Sequence, residues 1–486
     1  AVLLSTPAAA ADLEPATEAE RRASVPAQAP RPFAVAPVSR AELLNGLKLA
    51  AVESARLPVV ALELALPFGG SALDPQGREG LAALTASLLS EGAGGRDADA
   101  FSDAVDDLGA GLSVAATADA LVVKVFARKE NLDAVLALVS DLVRRPALPD
   151  AAVERLREET LAGLAAQKGE PGAIAGRRLN ARVFDGHPYG RAADETSVAV
   201  LTRDDAVAAA ARLSDPRGAR LTSAGDLSVT ELRALAERHF GDWTNAGALP
   251  ALPAVKGAPV AGRAAGAPRA ASGLGIDLFD LPGSEQSAIR FAQLAVTRDH
   301  PDFYALRVMM EVLGGGQGRL HRNIREEKGW AYGAYAFYAP RRAAGEISGE
   351  TDVETARTAD ALREVFAEMD RIRREPVPDE ELQRAKLYAA GGFLRRQQKV
   401  QDVAAQTTSA ELSGLPADEM ARYREKLMAV TAEQVRAAAR RHLLPASVHV
   451  VIAGDAEKVY EDLSAIAPVT VYGADGAAQP APVKKP

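Results

Sequence analysis

Residues 448–455 read "VHVVIAGD", and residues 220–226, in the earlier part of the chain, read "RLTSAGD". Each runs a short apolar segment into Ala-Gly-Asp. A helical pattern follows in both, "LSVTELRALAERHFG" after the first triplet in the chain and "AEKVYEDL" after the second. The reading of each is strand, sharp turn, helix. The Asp behind each Gly stands where a helix N-cap is wanted. A single such triplet carries little information. Gly225 and Gly454 at corresponding places in two stretches of the same element order point to an internal repeat.

Working outward, the first half offers a strand in "PVVALELALPFG" (58–69) and a helix over 75–91. Strands at 111–117 and 120–127 and helices at 131–144 and 150–167 follow. The second half runs strand 287–296, helix 301–313, strands near 330–338 and 345–351, and helices at 356–374 and 378–395. Each half is thus an α+β unit, an antiparallel sheet with helices packed on it.

Composition sets the boundaries. A chain of 486 residues exceeds one core, so two to four domains are expected. The Ala/Pro-rich residues 1–37 read as a tail; their start, "AVLLSTPAAAAD", resembles the apolar end of a secretory signal and its small-residue cleavage region. Export to the periplasm is the expectation, with a plain Ala-rich tail as the other reading of residues 1–11. Residues 245–273 have the Pro, Gly and Ala content of a linker between domains at 38–244 and 274–472, and 473–486 reads as a disordered tail. The net charge of −8 argues against a nucleic-acid partner, and no apolar run is long enough for a transmembrane segment. With no cysteine, the chain has no disulfide, thiolate nucleophile or Cys-held zinc.

The usual carriers of chemistry are sparse. None of the six histidines lies at i, i+3 or i+4 from another, and no Gly-x-Ser-x-Gly occurs. The run "GGGQGRL" (314–320) lacks the Lys-Ser/Thr of a phosphate loop and follows a helix; it reads either as a helix C-cap or as a binding loop at Gly314, Gly315 and Gly316. Two stretches stand out. In "GLAALTASLLSEG" (80–92), Leu81, Leu84 and Leu88 form the apolar stripe, while Ala83, Ala86, Ser87 and Ser90 form a second stripe of small residues where charges are expected. In "RNIREEKGWAYGAYAFY" (322–338), five aromatics fall within residues 330–338. They either pack a sheet face or, with Arg325 and Tyr332 as hydrogen-bond donors, recognise peptide carbonyls.

These pieces resemble the M16 metallopeptidases, the group of pitrilysin and the mitochondrial processing peptidase. The resemblance rests on the duplicated halves, the two AGD strands, "PFGGSALDPQGREGLAALTASLLSEG" (67–92) and "LGGGQGRLHRNIREEKGWAYG" (313–333). It implies two homologous halves of the M16/LuxS-like metallohydrolase type, antiparallel sheets covered by helices and joined by a linker in a clamshell. Zinc enzymes of this family carry His, Glu and His on the first helix; laid on this sequence, those positions are Ala83, Ala86 and Ser87. The family's third ligand, a Glu, falls near Gly163, with Glu158 and Glu159 close by. The resemblance therefore implies no metal and no catalytic residue in this chain. It also implies an Arg/Tyr pair that holds the substrate backbone, matched by Arg325 and Tyr332. The expected function follows: a zinc-free, substrate-binding subunit of a heterodimeric M16B peptidase, its partner a zinc-bearing homologue and its ligand a peptide. The alternative is a structural or assembly subunit, or a peptide-binding module, without a part in catalysis.

Overall fold

A computed structural model describes residues 33–213, 215–244, 251–258 and 274–482. The signal-like start, most of the linker and the last four residues lie outside the described residues. Ala36–Pro486 is a unit separate from Ala1–Val35.

The first half builds a six-stranded sheet from β1 (Ser39–Glu42), β2 (Lys48–Glu53), β3 (Val59–Leu66), β4 (Gly111–Ala116), β5 (Leu121–Arg128) and β6 (Arg220–Gly225), in the order β1-β2-β6-β3-β5-β4. The second half uses β7 (Ile276–Asp280), β8 (Gln286–Ala295), β9 (Ala331–Ala339), β10 (Gly345–Glu354), β11 (His449–Gly454), β12 (Val469–Tyr472) and β13 (Ala478–Gln479), in the order β13-β12-β7-β11-β8-β10-β9. The repeat takes in five consecutive strands reaching one edge of each sheet: β2-β6-β3-β5-β4 and β7-β11-β8-β10-β9 match strand for strand. The sheets are antiparallel except beside the first long strand of each half. β6 runs parallel to β2, and both β11 and β12 run parallel to β7. Each returns after helices, as a parallel crossover requires. β13, inside the stretch read as a disordered tail, instead closes a short hairpin with β12.

The AGD glycines sit where strands crowd. Gly225 has φ +125°, and a Cβ there would collide with the Val59 carbonyl; at Gly454 it would collide with Ser287. The capping expectation fails for Asp226, and Asp455, although the N-cap residue of its helix, makes no side-chain cap bond. Ser228 caps the helix Val229–Phe240 in a box with Glu231, and Asp226 accepts from Lys129 Nζ at 3.0 Å. Asp455 accepts from the Gly283 N–H at 3.1 Å, while the Ala456 N–H at the start of the helix Ala456–Ser464 donates to Asp280 at 3.0 Å.

Alternation along β3 shows how the halves interlock. Val60, Leu62, Leu64 and Leu66 join the core beneath the first half's own helices. On the opposite face Ala61 clusters with Ala404, and Ala65 with Leu412, both from the helix Val400–Leu412 of the second half. The exchange is mutual. The helix Pro171–Val183 of the first half lays Ala175 and Leu179 against Phe279, Ala292, Val451 and Ala453 of the second sheet. Its Arg178 donates to Asp277 at 2.6 Å and to the Tyr472 hydroxyl at 2.7 Å. Small residues on the receiving strands allow this close approach. Part of the linker is also packed: Val255 joins the same cluster, and His187 Nε2 donates to the Pro253 carbonyl at 2.9 Å.

Candidate functional site

The small-residue helix is Leu81–Leu89, preceded by Gly80 in the left-handed region at φ +102°. Leu81, Leu84 and Leu88 are buried, as the apolar stripe requires. The second stripe divides. Ala83, Ser87 and Ser90 are exposed, but Ala86 is buried between the leucines, so the small face open to solvent is narrower than the sequence pattern suggested. Asp74 holds the N-terminus, its carboxylate accepting from the Gly80 N–H at 3.0 Å and the Ala82 N–H at 2.9 Å. Beyond the C-terminus, Arg155 on the helix Asp150–Gln167 bridges Glu91 at 2.6 Å and Glu159 at 3.0 Å. Gly163, Glu158 and Glu159 are all exposed. Ala83 and Ala86 carry no donor atom, and Ser87 offers only a hydroxyl. The face therefore presents none of the imidazole and carboxylate groups from which a zinc site is built.

Asp74 makes the stability of this helix depend on pH. Burial pushes its carboxyl from the ordinary 3.8 up to about 6, against the pull of its two N–H donors and of Arg212 and Arg191. A carboxyl that titrates higher in the folded chain than in the unfolded one binds its proton more tightly when folded. Its contribution is therefore full below pH 3.8 and lost as the pH rises through about 6. The loss amounts to about 3 kcal/mol across that window. Thermal melts of the parent chain and Asp74→Asn between pH 3.5 and 6.5 should diverge by that order; parallel curves would show that Asp74 keeps an ordinary pKa.

The second stretch is built differently. Gly314 ends the helix Phe303–Gly314, and a Cβ there would collide with the backbone of Ala336 on β9. The Gly318 N–H donates to the Gly315 carbonyl at 2.7 Å, and only the tip, Gly316 and Gln317, is exposed. Directly behind the loop, Arg319 is 3% exposed and grips Glu381 with both arms, Nε to Oε1 at 3.0 Å and Nη2 to Oε2 at 2.8 Å. Although burial pushes Glu381 up, its hydrogen bonds with Arg319 hold the carboxyl below the usual carboxylate range. The loop is thus a tight helix end with an exposed tip.

From there the chain enters a π-helical turn, His321–Glu327, a rare conformation frequent at functional sites. It projects Arg325 into solvent toward the start of β9, the edge strand of the sheet. There Tyr332 is 86% exposed, and the Arg325 guanidinium carbon lies 4.9 Å from the centre of its ring. On the other side, Arg325 Nη1 lies 3.2 Å from Nε2 of the buried His321. A guanidinium only donates, so Nε2 is the acceptor, and Nδ1 is buried without a partner. His321 was not read from the sequence, although its i, i+4 relation to Arg325 is visible there. The aromatics divide between the two readings. Tyr338 is buried and donates to the Val296 carbonyl at 2.9 Å, whereas Tyr332 and Phe337 are exposed.

Two family models match the chain. Residues 50–197 match the model described as insulinase, peptidase family M16, and residues 201–388 the one described as peptidase M16 inactive domain. An uncharacterized zinc protease of Mycobacterium tuberculosis is 28% identical over 327 residues, 65% of this chain and 70% of the relative. The non-peptidase homologue YmxG of Helicobacter pylori is 25% identical over 370 residues, 75% of this chain and 82% of the relative. Among solved structures, the peptidase M16 inactive domain from Pseudomonas fluorescens superposes with a TM-score of 0.77 at 26% identity, covering 86% of this chain and 97% of that one.

Proposed function

Because the chain belongs to the M16 peptidase family, matching its peptidase model over residues 50–197 and its inactive-domain model over 201–388, we propose that it is the substrate-binding subunit of a heterodimeric M16B peptidase, without the family's zinc site. One contrast carries the reading. The helix where family zinc enzymes hold their metal exposes Ala83 and Ser87, while Arg325 stands ready at an edge strand between Tyr332 and His321.

In this reading a peptide lies extended along a sheet edge, its backbone carbonyls facing outward. Arg325 and the Tyr332 hydroxyl donate to those carbonyls and fix the peptide's register. The partner chain supplies the metal, which polarises the scissile carbonyl and activates water. This chain's residues contribute by orientation, since holding the reacting bond in place removes an entropic part of the barrier. A grip that tightens as charge develops raises turnover, whereas one that is equal throughout only strengthens binding. The pair is expected outside the cytoplasm, in the periplasm. Reconstitution tests the proposal: this chain is mixed with a zinc-bearing M16B homologue, and cleavage of unstructured peptides is measured for each chain and for the mixture.

A further inference from the structure

The turn before the helix Phe303–Gly314 meets the C-terminal end of the helix Ala432–His442 at the rim of a cavity of about 740 Å³. Three side chains converge there. One nitrogen each of His300 and His442 and one oxygen of Asp302 all lie within 4.8 Å of one another, the only such group of three among the described residues. His442 is 4% exposed, with Nε2 2.7 Å from Asp302 Oδ2. His300 Nδ1 lies 4.0 Å from the same oxygen, and the two imidazoles meet edge to face at 5.3 Å. The other carboxylate oxygen, Oδ1, is held by Arg441 at 2.8 Å.

Two imidazoles and one carboxylate form a donor set suited to zinc and its first-row neighbours, and unlike the all-oxygen shells of calcium or magnesium. Zinc bonds of about 2.0–2.1 Å in a tetrahedron place neighbouring ligand atoms about 3.3 Å apart. The observed separations of 2.7 and 4.0 Å bracket that value, so small side-chain shifts would close the shell. We propose that His300, Asp302 and His442 bind one first-row divalent transition ion, Zn²⁺ in the first instance, with its remaining position open to the cavity.

The ion would replace the proton that His442 Nε2 and Asp302 Oδ2 share. Arg441 would keep its hold on Oδ1 as the outer partner that orients the carboxylate. Two features work against tight binding. His300 Nδ1 accepts from the Asp302 N–H at 3.0 Å, a bond lost if that nitrogen binds metal, and Arg441 brings a positive charge close. Asp299 and Glu433, which also line the cavity, offset part of that charge. The site has three ligands and is distinct from the helix Leu81–Leu89. Bound metal would clamp two segments some 140 residues apart in sequence.

The test uses the full, metal-stripped chain. Zn²⁺ is titrated in by calorimetry, Co²⁺ serves as an absorbance probe of coordination geometry, and melts are recorded with and without Zn²⁺. The expected result is one Zn²⁺ per chain, tetrahedral Co²⁺ bands and a Zn²⁺-dependent rise in melting temperature. His300→Ala and His442→Ala should each weaken binding at least ~100-fold. His300→Ala guards against a folding defect at the more deeply buried His442. Absence of saturable binding to the parent chain, or unchanged binding in both variants, would overturn the assignment.

Discussion

In the assembled pair, Arg325→Ala is expected to lower kcat/KM by about 10- to 100-fold and to leave subunit association unchanged. A hydrogen bond from a charged donor contributes about 1.5–3 kcal/mol, and each 1.4 kcal/mol of lost transition-state binding is a factor of ten. Arg325 is exposed and its neighbours are a ring face and one imidazole nitrogen, so its removal leaves no buried charge and should hardly change the fold. Arg325→Lys should recover little of the activity. An ammonium has neither the planar donors that reach a carbonyl while touching His321 nor the flat face that stacks on Tyr332. Steady-state kinetics with one unstructured peptide, alongside a measured dissociation constant for the pair, separate the two effects. Normal turnover in Arg325→Ala would remove this residue from the mechanism.

Glu381→Ala should cost about 3–5 kcal/mol of stability, the largest loss expected from any single exposed-to-buried contact near the Gly-rich loop. Its partner Arg319 is almost wholly buried, and its Nη1 already lacks a hydrogen-bond acceptor. Without the carboxylate, the whole guanidinium would be left without a counter-ion in the interior. Arg322, which also reaches Glu381 at 3.2 Å, is more exposed and would turn to water. Glu381→Gln keeps the shape and two of the contacts, so its cost should be smaller. Urea unfolding followed by circular dichroism measures both. A loss below about 1 kcal/mol in Glu381→Ala would show that Arg319 finds another partner.

The legible part of the fold was what local pattern dictates. The apolar strands at 58–69, 120–127 and 448–455 and the long helices following them could be read directly, and the paired AGD turns disclosed the duplication. The helices exchanged between halves were not legible. Val400–Leu412 buries Ala404, Thr407, Thr408 and Ala410, and Pro171–Val183 buries only Ala175, Leu179 and Val183, so neither shows a leucine stripe. Such a face resembles a weakly amphipathic surface helix until its partner sheet is known. The error at Asp226 and Asp455 has a similar origin. Sequence proximity favoured a local cap, whereas Lys129 and Gly283, brought near by the sheets, claim those carboxylates.

At the candidate site, the resemblance to the M16 family singled out Arg325 and Tyr332, whereas the local pattern alone fitted aromatics packing a sheet face as well. Ala86 was misplaced because a helical stripe drawn from small residues alone does not reveal how far the neighbouring leucines reach around the helix. His300 and His442 are far apart in sequence, and only the packing of the helix Ala432–His442 against the turn at 300–302 unites them. No local pattern could have paired them.

The central claim is that this chain grips peptide for a metal held elsewhere. Its most direct test is the metal dependence of peptide cleavage in the reconstituted pair. The account predicts no cleavage by this chain alone at any zinc concentration and zinc-dependent cleavage when the zinc-bearing homologue is added. It further predicts that this activity disappears when the partner's own metal ligands are replaced and persists when Ala83, Ala86 and Ser87 of this chain are varied. Zinc-dependent cleavage by the isolated chain, or a pair that assembles and turns over no faster than the homologue by itself, would contradict it.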